Sequence, residues 1–290
     1  MSATYILDGV PLDHPAGCWR LKKGTQRRPL PGVRTVNLAV PGRSGDLPVL
    51  GLDHEAATLG LAFTVYPYTP SGADGGAEQM EHNLEALGAL LGTRHRLMVL
   101  KWVTGSIVRV AGVTVEATSE PEYFAGAAMA RLTAVVKIPE VYWRDEADST
   151  WTGTLPGAGQ IVTPLAGSTG PIVDSVLQVT GPAVQPAVRD VATGGTVAYT
   201  DTVQAGHHLL VDCGRLTAAI VTTDTWDLDA GTDVTSDINA TGPGSAFRWL
   251  HLTPAMAVGD PHSRAVLVDT TASGTSAASQ FEIRARRSYL

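Results

Sequence analysis

Cysteine is almost missing from this sequence: Cys18 and Cys213 are the only two in 290 residues. That count excludes a disulfide framework, and no Cys-x-x-Cys spacing exists to hold zinc. Aromatic residues make up 6% and charged residues 17% of the chain. No apolar run approaches the roughly twenty residues that a membrane helix requires, and no charged n-region followed by an apolar h-region opens the chain. The expectation is a protein that folds in the reducing cytoplasm where it is made, touches no membrane, and leaves the cell by lysis or within an assembly. Cys213 follows Leu209-Leu210-Val211 and is expected in a core, as a small apolar side chain.

Catalytic and cofactor motifs are missing too. The eight histidines, at 14, 54, 82, 95, 207, 208, 251 and 262, include no His-Glu-x-x-His pair for zinc. Gly42-Arg43-Ser44-Gly45 has the wrong spacing for a Gly-x-Ser-x-Gly nucleophile turn. The glycines from 153 to 159 end in no Gly-Lys-Ser/Thr phosphate cradle and read as linker. Asp227-Leu228-Asp229-Ala230-Gly231 has the alternate carboxylates of a calcium loop but neither its third ligand position nor its distal Glu, and reads as a solvated turn. No enzyme activity, cofactor or metal is expected, and a wall-degrading hydrolase is disfavoured on the same grounds. The formal charge of −7 argues against a sequence-specific nucleic-acid binder. Two basic clusters, Arg20-Lys22-Lys23-Arg27-Arg28 and Arg284-Arg286-Arg287, lack the interleaved aromatics of single-strand binders and read as strand ends or subunit contacts.

What the chain has is glycine, 31 residues, and proline, 18, which favour a mainly β protein with many turns. Its length suits two domains, each able to bury a core. Asp8-Gly9, Pro31-Gly32 and Pro41-Gly42-Arg43-Ser44-Gly45-Asp46 punctuate short β-like runs, including Tyr5-Ile6-Leu7 and residues 33–40. Leu59, Leu61, Phe63 and Val65 alternate over a predicted strand at 58–66. Gly75-Gly76 belongs to an exposed loop, after which Met80, Leu84, Leu87 and Leu91 share one face of the only convincing helix, stopped at Gly92, with Glu78, Glu81 and Glu85 opposite or at its start. Strands are predicted at 96–103, 107–116 and 129–141, the first two joined by a hairpin at Thr104-Gly105-Ser106. Residues 146–174 read as a joining stretch with one strand near Trp151 and Leu155. Short strands then follow at 176–179, 187–191, 196–199, 208–211, 217–221, 248–252, 265–268 and 280–286, a β-sandwich pattern.

Several of these textures agree with one family. The opening turns, Trp19-Arg20-Leu21, residues 36–47 with their Pro-Gly-Arg-Ser-Gly-Asp loop and the single helix between strands all carry it, as does the exit at Pro139-Glu140-Val141-Tyr142-Trp143-Arg144-Asp145. Gly181-Pro182-Ala183-Val184-Gln185-Pro186, Gly194-Gly195-Thr196-Val197-Ala198-Tyr199-Thr200 and Gln204-Ala205-Gly206 continue it. Over nearly the whole chain the sequence resembles the distal tail proteins, or tail-tip minor proteins, of siphophages infecting high-GC Gram-positive hosts. The resemblance implies an N-terminal split β-barrel with one helix, the belt domain, at residues 1–146, and a C-terminal galectin-like β-sandwich at 147–290. It further implies a hexameric ring joining tail tube to tail tip in the virion, assembled in the host cytoplasm. The partners it implies are the tail tube protein, the tape measure protein and the tail-tip or baseplate hub protein.

The alternative is a carbohydrate-binding module that recognises host wall polysaccharide. Its aromatic candidate is Trp226, which is flanked by Asp and Thr; Trp249, within an apolar run, reads as core.

Overall fold

The computed structural model describes residues 4–25, 28–34 and 53–290. The expected Pro-Gly-Arg-Ser-Gly-Asp loop, most of the 33–40 run and Arg27 lie outside the described residues. The chain divides into two compact units, Met1–Arg144 with Leu290, and Asp145–Tyr289.

In the first unit the strands are β1 (Thr4–Leu7), β2 (Val10–Pro11), β3 (Trp19–Leu21), β4 (Val33–Arg34), β5 (Asp53–His54), β6 (Ala57–Val65), β7 (Met98–Thr104), β8 (Ile107–Thr118), β9 (Glu122–Phe124), β10 (Met129–Ile138) and β11 (Trp143–Arg144). One antiparallel sheet runs β2-β1-β7-β8-β10-β6-β3, curled into a half-barrel, with β9 on β10 and β11 on β8; β4 and β5 form a separate ladder. Alternation places Leu59, Leu61, Phe63 and Val65 on the buried face, opposite Val136, Ala134, Leu132 and Ala130 of β10. The turn between β1 and β2 has φ +49° at Asp8 and +83° at Gly9, both central residues left-handed, as a two-residue hairpin with the right twist requires. Between the outer strands β2 and β3 there is no ladder among the described residues. Single bonds bridge the opening instead: Trp19 Nε1 donates to the Pro11 carbonyl at 3.2 Å, and Leu21 N to Asp13 Oδ1 at 2.9 Å.

The helix α1 (Gly76–Leu91) lies over β6 and β10. It begins one residue earlier than its Gly-Gly start suggests: Gly75 is the N-cap, without a side-chain cap bond, and Asp74 Oδ1 accepts the Gly76 N–H at 2.9 Å in a turn just before it. The expected buried face needs one correction. Met80, Leu87 and Leu91 are buried, but Leu84 is half-exposed and Asn83 takes its place. Asn83 Nδ2 donates to the carbonyls of Tyr66 and Tyr68, each at 2.8 Å, tying the helix to the segment that leaves β6. Apolar spacing cannot reveal a polar residue whose partners are main-chain atoms 15 and 17 positions away.

The second unit is a β-sandwich. One sheet runs β12 (Ser149–Gly153), β25 (Gln280–Ala285), β14 (Val176–Thr180), β18 (His208–Asp212), β19 (Thr217–Val221) and β20 (Thr232–Asp233). The other runs β13 (Gly157–Ile161), β24 (Leu267–Ser273), β15 (Ala183–Asp190), β16 (Thr196–Tyr199) and β21 (Ile238–Thr241), with β17 (Thr202–Val203) beside β15. A separate hairpin joins β22 (Ala255–Ala257) to β23 (Asp260–Ala265). Leu177, Val179, Leu209, Val211, Phe281 and Ile283 of the first sheet face Val188, Val197, Tyr199 and Val268 of the second in one core.

Two expectations are overturned here. Residues 146–174 hold the expected strand at Trp151, β12, and also a second, β13, so that they supply outer strands to both sheets rather than only joining the halves. Trp151 sits edge-on to Phe281 at 6.5 Å, and Leu155, Val162, Leu165 and Ile172 enter the core, so a Thr- and Gly-rich composition hid real packing. Residues 248–252 form no strand. Leu250 and Leu252 are buried by alternation, yet only an isolated bridge, Leu252 to Ile172, pairs the segment.

Candidate functional site

The outward face of the first sandwich sheet carries charge where β25, β14 and β18 run side by side. Arg284, Val176 and Asp212 are register partners, and their side chains point away from the core because Leu177, Val211 and Ile283 next to them point into it. Over this row lies a polar cleft of about 370 Å³, lined by Asp148, Asp174, Asp212, Arg215, Arg248 and Trp226 together with Arg284 and Arg286. Trp226 is half-buried, and the Arg284 guanidinium stands 5.9 Å from its ring centroid. The expected aromatic candidate and the expected C-terminal basic cluster therefore meet in one place.

The charges in the cleft answer one another. Arg284 reaches Asp148 at 3.0 Å, Arg286 spans Asp148 and Asp174 at 3.5 Å each, and Arg215 lies 3.8 Å from Asp212. Asp212 Oδ1 also accepts the N–H groups of Gly214 and Arg215 at 2.9 Å, and Arg248 donates to the Gly214 carbonyl. Arg287 pairs with Asp145 at 2.6 Å, and the Tyr289 hydroxyl donates to the same carboxylate at 3.2 Å. The basic cluster, expected as a strand end or a subunit contact, lies at the end of β25 and is engaged in ion pairs within the unit. Such a cleft can hold a polar, polyhydroxylated ligand by ring contact and carboxylate or guanidinium hydrogen bonds.

Other singled-out residues stand elsewhere. His208 Nδ1 lies 3.0 Å from Thr180 Oγ1, and His207 approaches the Ala205 carbonyl. Asp227 caps a short turn through the Asp229 N–H at 3.1 Å. Trp249 packs against the core, while Phe247, two residues before it, is 81% exposed. Both thiols are buried, and burial pushes that of Cys213 up to about 12. Among the described residues no group of three or more His, Cys, Asp or Glu is placed to hold a metal ion.

Two further carboxylates escaped the sequence. Asp190 is fully buried at the end of β15, accepting from Thr193 N at 2.9 Å, Thr193 Oγ1 at 2.7 Å and Thr253 N at 3.1 Å. Burial pushes its carboxyl above the ordinary value, outweighing these bonds and the nearby His251. Asp8 goes the other way. Burial works to raise it, but the Arg96 hydrogen bond at 2.8 Å, the Val99 N–H and the Arg96 charge together hold it low.

No family model matches the sequence, and no curated protein matches it. A comparison of folds does find relatives. The Dit protein of phage SPP1, described as a paradigm of the hub adsorption apparatus in Gram-positive infecting phages, superposes with a TM-score of 0.64 at 12% identity, covering 100% of both chains. The chain is similar in fold to SPP1 Dit. The phage P2 baseplate in its activated conformation with calcium is a looser match, with a TM-score of 0.41 at 9% identity over 98% of each chain.

Proposed function

We propose that this chain is a structural component of a long-tailed phage virion: a distal tail adapter that forms a hexameric ring between tail tube and tail tip. The observation that carries this reading is the agreement in fold with SPP1 Dit from end to end, both units included. In this reading residues 1–146 are the ring-forming domain and residues 147–290 a separate sandwich domain. The tail tube protein, the tape measure protein and the tail-tip hub protein are its neighbours. The chain folds and assembles in the host cytoplasm and resides at the virion's tail tip, on phages of high-GC Gram-positive hosts. It works without catalysis, by fixing the positions of other proteins.

The half-barrel supports the ring. A sheet whose outer strands β2 and β3 are bridged by isolated bonds keeps main-chain edges that a neighbouring copy can cover. A ring of identical copies closes through heterologous contacts, one patch meeting a different patch. Electron microscopy of the purified full chain tests the reading: ring-shaped particles with a central hole are expected, and uniform particles of single-chain size would refute it.

A second reading concerns the sandwich alone. The cleft lined by Trp226 favours a contact with wall polysaccharide, since it joins a half-buried indole to carboxylates and guanidiniums.

A further inference from the structure

We propose that the acidic outer face of α1 docks against the basic edge formed by Arg20, Lys22 and Lys23 of a second copy of this chain, an inference that rests on the ring reading above. The helix contains no Lys or Arg. Glu78, Glu81 and Glu85 fall on one stripe away from Met80, Leu87 and Leu91, and the side chains of Glu78 and Glu85 are 91% and 77% exposed. Their one nearby partner on the helix is His82, 4.0 Å from Glu78 and 3.6 Å from Glu85. Glu81 and Glu85, four apart and of like charge, work against the helix. Only Glu78 stands in the first turn, where the helix dipole favours a carboxylate.

The cations are as lightly answered. Arg20, Lys22 and Lys23 are exposed, and among the described residues none is ion-paired. Asp13, which lines the same opening, is engaged by Thr4 Oγ1 at 3.2 Å and Leu21 N at 2.9 Å. The lysines are presented on a fixed turn: Lys22 N donates to the Ala62 carbonyl at 2.8 Å, Thr25 N to the Lys22 carbonyl at 3.1 Å, and Thr25 Oγ1 bonds both the N–H and the carbonyl of Ala62.

Complementary charge points to a second copy as the partner. Trp19 and Leu21 are in register with Val65 and Phe63, so Arg20, opposite Thr64, points to the other face of the sheet. The helix is on the Phe63 face, where Leu84 and Leu91 lie beside Leu132, the register partner of Phe63. Among the described residues the two patches are not paired with each other, and in two chains placed head to tail they complement each other in contacts that repeat around a closed ring. Complementary charge of this kind also steers encounter and fixes orientation.

The experiment uses the full chain in two charge-reversed forms, E78K/E81K/E85K and R20E/K22E/K23E, sized by light scattering. Each alone is expected to lose the ring species that the wild type forms. An equimolar mixture is expected to regain it, because copies alternate and six is even; misfolded chains would not be rescued. The milder Glu78→Gln, Glu81→Gln, Glu85→Gln set is expected to raise the concentration at half-assembly about tenfold and to flatten the salt dependence of assembly. A wild-type ring that neither reversal nor the Gln set disturbs overturns this interface and leaves the ring. A mixture that stays dispersed while both reversed forms keep the wild-type circular dichroism also overturns it. A wild type that never assembles removes the ring reading and the interface together.

Discussion

Replacing Asn83 by Asp or Ala should loosen the helix far more than its modest size suggests. The Asn83 amide donates to the carbonyls of Tyr66 and Tyr68 at 2.8 Å and accepts from Gln79 Nε2 at 3.0 Å, all on the buried side of α1. Asp keeps the shape and loses both donors, so two carbonyls confront a carboxylate. Ala loses the bonds and leaves the same carbonyls unanswered. At about 1–2 kcal/mol for each of the two stranded carbonyls, the expected cost is about 2–4 kcal/mol, comparable to truncating a buried leucine such as Leu87. Hydrogen exchange across Gly76–Leu91 in the full chain reads this directly, since those amides report local opening of the helix. Exchange should accelerate by roughly 30- to 1000-fold in either variant. Lowering the pH should partly restore Asn83→Asp, because a protonated carboxyl regains one donor. Protection unchanged within about twofold in both variants would refute the reasoning and leave the apolar stripe as the helix's sole anchor.

Asp190→Asn should change how stability depends on pH. Because the folded carboxyl lies above its ordinary value of 3.8, the folded state holds the proton longer than the unfolded state. Its contribution is complete below that value and is lost as pH rises through the folded pKa, so urea midpoints of wild type and Asn variant should converge at low pH and diverge as pH rises. Equal pH profiles would contradict this account. Trp226→Ala should abolish any binding to host wall polysaccharide while the circular dichroism stays that of the wild type; a glycan array without a wild-type signal would remove the carbohydrate reading altogether.

The parts of the fold that were legible in the sequence are those with local periodicity. Leu59, Leu61, Phe63 and Val65 announce β6 by alternation, Met80, Leu87 and Leu91 announce α1 by helical spacing, and Gly105 announces the β7–β8 hairpin, where its φ is +59°. What stayed hidden depends on distant partners. The strand at Trp151, β12, was legible and β13 was not, and the place of both comes from ladders with β25 and β24 more than a hundred residues on. The alternation of Leu250 and Leu252 was real, but burial without a ladder makes no strand. At the candidate site, Trp226 was visible as a residue type. Its setting was not, because the Arg284–Asp148 and Arg286–Asp174 pairs join positions 136 and 112 apart. Asp190 gave no signal at all, since its three donors come from a turn and from Thr253.

The mass of the purified chain in solution, measured by light scattering over a concentration series, tests the central claim most directly. The account predicts a discrete species of roughly 180 kDa, six copies of a 30.3 kDa chain. A single species near 30.3 kDa at every concentration would contradict it.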